Sequence, residues 1–442
     1  MKKVLVLFLT AALSAALLAG CGASGAAGRT SSAADSGSAS AAFSPSLDTS
    51  ASAQVKIVGR LDNFEALEAV IKDFNAVYPK AAISYAKMDD YASTMPSQVM
   101  GGNPPEIFMS FRSQFEANAG LADATLDLGD LGLDMGILTQ GNADACYFGG
   151  KLVRVPLALN YQGVAVNTTL LEKEGLAVPT SHADFLNVCG ALLDKGYTPL
   201  QGFPDTIYPM LFYNELRVRL AREKDSAAVF GALNAGADGS GEYLRKEFEL
   251  LAEYRDKGYF SAAVNSAIGD SYDKAILHFF EGDTPFLVCS TETFSGMKKR
   301  ESKSAAFTAK PFGYEFCELP VSDLGATAVV DVWNAFSIAK NSGSVEWAKE
   351  FIRFLFTPDE LNKIAEVKGL PTAVAAGSGD SRFDSLSRLA PEQLLYSSEA
   401  NVSGTAAKVY GKLAAMVAAG ECSADDAVAQ YPGLMKEALK AS

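Results

Sequence analysis

VKIVGRLDNFEALEAVIKDFNAVYPKAAISYAKM, residues 55–88, decides the fold class. It opens on a short β-branched run, Val55 to Gly59, that reads as a strand. Phe64, Leu67, Val70, Ile71, Phe74 and Val77 then recur at helical spacing. Asp62 or Asn63 is placed to cap that helix, and Pro79 ends it. AAISYAKM follows as a second strand, so the order is strand, helix, strand. Further on, a helical stretch through Gln98 leads to GGNPPEIFMSF, in which residues 106–111 read as a third strand. Strands alternating with helices predict an α/β fold, mostly parallel sheets with helices on both faces.

In such sheets ligands bind beyond the carboxyl ends of the strands. Those ends carry GRLDN, residues 59–63, and SFRSQ, residues 110–114, and both are polar. Arg60, Asp62, Asn63, Arg112, Ser113 and Gln114 are therefore candidates by position. An Arg fork suits carboxylate or phosphate; if Arg60 and Arg112 both face one site, that site suits an acidic ligand.

Toward the amino terminus, Lys2 and Lys3 precede an apolar run from Val4 to Leu18. That is the layout of a secretory signal and is shorter than the ~20 residues of a membrane span. The run ends in Leu18-Ala19-Gly20-Cys21, which resembles the bacterial lipobox, so residues 1–20 read as a signal peptide and Cys21 as the lipid-bearing anchor. Residues 21–54 are mostly Ala, Ser, Gly and Thr. Such a segment has too little apolar bulk to offset chain entropy and reads as a disordered tether.

About 390 residues remain, enough for two domains of ordinary size. The net charge of −14 argues against nucleic acid, which basic surfaces neutralise, and against anionic lipid. Five cysteines follow Cys21, at 146, 189, 289, 317 and 422, with no CxxC pair, so they read as buried thiols and not as a metal site. There are two histidines, His182 and His278, and no nucleophile elbow, zinc helix or phosphate-binding loop. No cofactor or metal is implied.

Beyond residue 148 the order of motifs resembles a known family. GGKLVRVPLALNYQGVAVNTTLLEKEGLAVPTSHADFLNVCGALLDKGYTPLQG, residues 149–202, is similar to the Gly-Lys, Val-Pro, Tyr-Asn-Lys and Gly-x-x-x-Pro-x-Thr-Trp succession of the extracellular solute-binding lipoproteins of ABC importers, the sugar-binding, maltose-binding-protein-like type. Gly150, Lys151, Val155, Pro156, Asn167, Leu176, Pro179, Phe185, Leu193, Gly196 and Pro199 hold the matching places. The family's Trp is missing: Ser181 and His182 stand there. GGNPPEIFM, AILHFFEGDTPFLVCSTETF, DVWNAFSIAKNSGSVEWAKEFIRFLFTPDELNKI and AAMVAAGECSADDAVAQY resemble further family segments in the family's order.

The resemblance implies two α/β lobes of the type II periplasmic-binding-protein fold joined by a hinge. Crossings near Asn160, Phe294 and Asn341 give one lobe of residues 55–159 and 294–341 and another of 160–293 and 342–442. The implied role is capture of a solute, most simply a mono- or oligosaccharide, by hinge closure and delivery to ABC permease subunits. The implied setting is a monomer anchored outside the cell. A sugar cleft needs polar groups for hydroxyls and rings for apolar faces. Trp333, flanked by Asp331 and Asn334, is the sharpest candidate, with a core role as the alternative. Tyr208 falls where the family stacks an aromatic; Asn160, with Tyr161 and Gln162, is at the first crossing; Glu292 and Phe294 are at the second. Trp347 reads as packing.

Two other readings remain. A surface-anchored carbohydrate-active enzyme needs two carboxylates about 5 to 10 Å apart in one cleft. A sensor or adhesion module keeps the fold without the transporter.

Overall fold

The computed structural model describes residues 43–375, 381–399 and 402–441. The expected signal peptide, the expected lipidation site Cys21 and the expected tether as far as residue 42 lie outside these residues. The strands are β1 (Ala53–Gly59), β2 (Ala81–Lys87), β3 (Ile107–Ser110), β4 (Tyr147–Phe148), β5 (Lys151–Leu152), β6 (Val155–Asn160), β7 (Gln162–Asn167), β8 (Leu200–Gln201), β9 (Phe286–Ser290), β10 (Tyr314–Cys317), β11 (Ala328–Ile338) and β12 (Leu394–Tyr396).

Between β1 and β2 the expected helix forms over Glu65–Val77 and buries Ala66, Leu67, Val70 and Phe74. Neither Asp62 nor Asn63 caps it. Phe64 occupies the cap position without a side-chain bond, because Asp62 is drawn to Lys87 and Asn63 bonds Glu65. β1 pairs in parallel with β2 and β3, as the alternation predicted.

Two principal sheets result. The first runs β12-β11-β3-β1-β2 with β6 also on β11, and the second runs β10-β7-β9-β8. Both are mixed, not mostly parallel: β11 is antiparallel to β3 and β6, and β7 is antiparallel to β9 and β10. A strand that arrives from the other sheet enters from the opposite end, so it runs against its new neighbours.

Alternation along the second sheet divides its faces. Val164, Val166, Phe286, Val288 and Cys317 join one core with Phe185, Phe212 and the carboxyl-terminal helices; Ala165, Leu287, Cys289 and Phe316 join the other with Phe279 and Phe294. Gly163 has no room for a side chain, since a Cβ there would lie 2.6 Å from both the Cys317 carbonyl and the Phe316 ring.

The chain passes from the first sheet to the second at Tyr161, between β6 and β7. The passages expected near Phe294 and Asn341 lie elsewhere. Phe294 is held in the core by Tyr314, Phe316 and Phe383 at 5.6–5.9 Å, so the return comes after β10, in residues 318–327. The helices Val345–Leu355 and Pro358–Lys368 stay with the first sheet, because Phe351, Ile352, Leu361 and Ile364 bury in its core. The last passage follows β12, and the helices Gly404–Ala419 and Ala424–Ala441 complete the second core.

Residues 43–54, expected to belong to the tether, are instead packed on the body. Phe43 packs edge-on against Phe354 at 5.1 Å, and the Ser46 amide and hydroxyl donate to buried Glu350 at 2.7 and 2.5 Å. Leu47 also packs against the first core, and Arg353 reaches the Ser44 carbonyl. Among the described cysteines all thiols are free, and four of the five are buried; burial pushes Cys146 and Cys289 up to about 12.

Glu318, in the return passage, is 6% exposed and its Oε1 has no hydrogen-bond partner. Burial pushes its carboxyl up to about 7, so the folded state favours the protonated form. Raised above its unfolded value, the group stabilises the fold at low pH and loses that contribution as pH rises through about 7. At ~1.4 kcal/mol per pKa unit the loss is about 3 kcal/mol. Urea titrations of wild type and Glu318→Gln between about pH 5 and 8 should show this slope in the wild type and not in the variant.

Candidate functional site

The carboxyl ends of β1 and β3 meet the amino end of the helix Thr291–Arg300 and the middle of β11. Gly59 ends β1 because a Cβ there would lie 2.7–2.9 Å from Tyr85 and Met109. The close approach lets Tyr85 bond both the amide and the carbonyl of Leu61, at 2.9 and 3.0 Å, and so fixes the loop that carries Arg60.

Arg60 donates through Nη2 to Glu292 at 2.8 Å and through Nε to the Asn334 carbonyl oxygen at 3.2 Å. Its guanidinium also lies 5.7 Å from the Phe111 ring centre. Asn160, the last residue of β6, accepts from the Thr291 hydroxyl at 2.9 Å and the Glu292 amide at 3.2 Å. The Thr291 amide in turn donates to the Tyr161 carbonyl at 3.0 Å. Arg60, Asn160, Tyr161, Glu292 and Asn334 are thus one hydrogen-bonded group at the base of the two sheets.

β11 carries a bulge here. Val332 faces Leu159 and Asn334 faces Ala158, leaving Trp333 without a partner on β6. Bulges re-aim side chains. Trp333 turns inward to Phe64 at 6.1 Å, is 5% exposed, and has Lys368 5.4 Å over its ring. Burial holds the Lys368 ammonium below its ordinary value. Trp333 therefore takes the packing role that the sequence left open.

On the other side of Phe111 lies a cavity of about 250 Å³. Arg112, Ser113 and Glu116 line it from the end of β3, Tyr213 and Arg217 from the helix Tyr213–Ala221, and Asp331 from β11, with Arg154 at its floor. Arg112 Nε donates to Glu116 at 3.0 Å. Arg217 makes a two-pronged pair with Asp331 at 3.1 and 3.2 Å, and stands 4.9 Å from the Tyr213 ring. The cavity thus offers charged donors, carboxylate acceptors and a ring, the groups that hydroxyl-rich solutes need.

Five residues predicted by the sequence lie outside this arrangement. Asp62 is largely exposed beside Lys87, and Asn63 is exposed and bonded to Glu65. Tyr208 is buried against Phe260 at 5.2 Å with its hydroxyl on Asn265 at 3.1 Å, because its helix turns that face into the second core. Phe294 belongs to the core described above. Gln114 is also structural: it bonds the Phe111 amide and the Ala92 carbonyl. Arg154, Tyr213 and Arg217 were missed. Their signal was weak but present: each Arg interrupts an apolar run, LVRVP and LRVRL.

Arg217 is 4% exposed, so losing Asp331 leaves a buried charge unmatched. Asp331→Ala should cost about 3–5 kcal/mol in chemical denaturation, and Arg217→Met combined with Asp331→Leu should recover most of it.

Residues 69–381 match the family model of bacterial extracellular solute-binding proteins. The multiple sugar-binding protein of Streptococcus mutans is 21% identical over 325 residues, 70% of this chain and 72% of that one. The apo form of RafE from Streptococcus pneumoniae superposes with a TM-score of 0.70 at 17% identity, covering 88% of this chain and 98% of that one. A sugar transporter of Bacillus licheniformis solved with stachyose gives 0.64 at 18%, covering 87% and 98%. The fold is the two-lobed α/β fold of periplasmic solute-binding proteins. With its strands, crossings and matched span together, the chain belongs to the bacterial extracellular solute-binding proteins.

Proposed function

We propose that the protein captures a carbohydrate in the cavity between β3, β11 and the helix Tyr213–Ala221, and presents it to the permease subunits of an ABC importer. The observation that carries this reading is the composition of the cavity wall. Arg112, Ser113 and Asp331 come from the first sheet and its loops, while Tyr213 and Arg217 come from the helical layer of the second. A solute that touches both favours the closed state by its differential affinity. The stachyose-bound transporter and the multiple sugar-binding protein support the solute class. Lipid on Cys21 anchors the chain to the membrane surface, each buried CH₂ contributing about 0.8 kcal/mol. The role is binding without turnover. The cavity's two carboxylates, Glu116 and Asp331, are each hydrogen-bonded by an arginine, so neither stands free as the acid and nucleophile pair a glycosidase requires.

Thermal-shift titrations against monosaccharides, oligosaccharides, uronic acids and polyols test this directly. A solute at a hundred times its Kd should stabilise the fold by about 2.7 kcal/mol; no shift across the panel would remove the carbohydrate reading. Arg112 and Glu116 are partly exposed, so Arg112→Ala should leave unfolding unchanged. It should weaken the identified solute about tenfold in calorimetry, ~1.4 kcal/mol.

A further inference from the structure

Three guanidinium groups and two carboxylates line the cavity. Arg112 is matched by Glu116 and Arg217 by Asp331. Arg60, outside it, is matched by Glu292. The two arginines that pointed to an acidic solute in the sequence are therefore already neutralised by the protein. Arg154 is not. It is 5% exposed, and its Nε and Nη2 both donate to the Ala145 carbonyl at 3.0 and 2.7 Å. No carboxylate pairs with it among the described residues.

A buried charge without a counter-ion is costly, and an arginine cannot escape the cost by losing its proton. Holding the Ala145 carbonyl needs donors and not a charge, so that bond alone does not explain the residue. Two of the five N–H donors are used; Nη1 and the second hydrogen of Nη2 are left, the pair of parallel donors that a carboxylate accepts. The nearest acids exert some pull, but both are held by the other arginines. We propose that the solute is an acidic carbohydrate, a sugar or oligosaccharide bearing a carboxylate, and that this carboxylate docks on Arg154 as the missing counter-ion. The proposal rests on the carbohydrate reading above.

Calorimetry on the full chain with matched pairs separates the two readings. Suitable pairs are galacturonate oligomers against their methyl esters, aldouronic acids against neutral xylo-oligosaccharides, and glucuronate against glucose. The expected result is at least tenfold tighter binding of the acid in at least one pair, an advantage that shrinks with added salt. Arg154→Gln should abolish that advantage and Arg154→Lys should keep part of it, whereas a purely structural role predicts equal losses for acid and ester. Because the acid–ester comparison is made on the wild type, a variant that fails to fold does not affect it. Neutral members that bind as tightly as their acids would overturn the proposal and leave the carbohydrate reading standing. Absence of binding by every member would overturn both.

Discussion

The antiparallel ladder between β6 and β11 is the constraint on which the rest of the structure depends. β6 leads out of the first sheet and β11 is the strand that returns to it, so their pairing closes the path of the chain between the two sheets. β11 also pairs with β3 and β12. Any shift in its register would move Asp331, Trp333 and Asn334 together, since side chains alternate with a period of two. The bulge at Trp333 breaks that period once, and so sends an acid toward the cavity, an indole into the core and an amide to Arg60.

Charge is arranged around this ladder with economy. Arg60 with Glu292, and Arg217 with Asp331, each join a residue of the first sheet or its loops to one that follows the second. Opposed charges of this kind bridge the two groups of elements. The pair of partly exposed Arg60 is screened by water and contributes little. Buried Arg217 is held by geometry as well as charge. Within the same wall, Arg154 departs from the pattern of matched pairs, and the departure is informative because burial makes every unmatched charge expensive.

The histidines and cysteines take structural parts. His182 bonds Asp323 and Tyr254 on the second body, and the buried thiols fill core positions. The groups that give the cavity its chemistry are arginines and carboxylates spread from residue 112 to 331, a set with no compact motif.

What the sequence by itself determined was the local and the periodic. The β1–helix–β2 unit and the polar mouths of β1 and β3, with Arg60, Arg112 and Ser113 in them, follow from patterns a few residues long, whereas Asn160, Glu292, Asp331 and Asn334 were singled out only through the family resemblance. Only the tertiary structure decided the rest. Trp333 and Tyr208 are aromatic in either setting, so their burial depended on which face their strand or helix turned inward. The later passages depended on Phe294 and Phe351 finding cores formed by residues far along the chain. Arg154 and Arg217 look like interruptions of apolar runs until folding brings Glu116, Asp331 and Ala145 beside them. The physical reason is the same in each case: periodicity fixes which face a side chain occupies, and only the packed chain sets what that face meets.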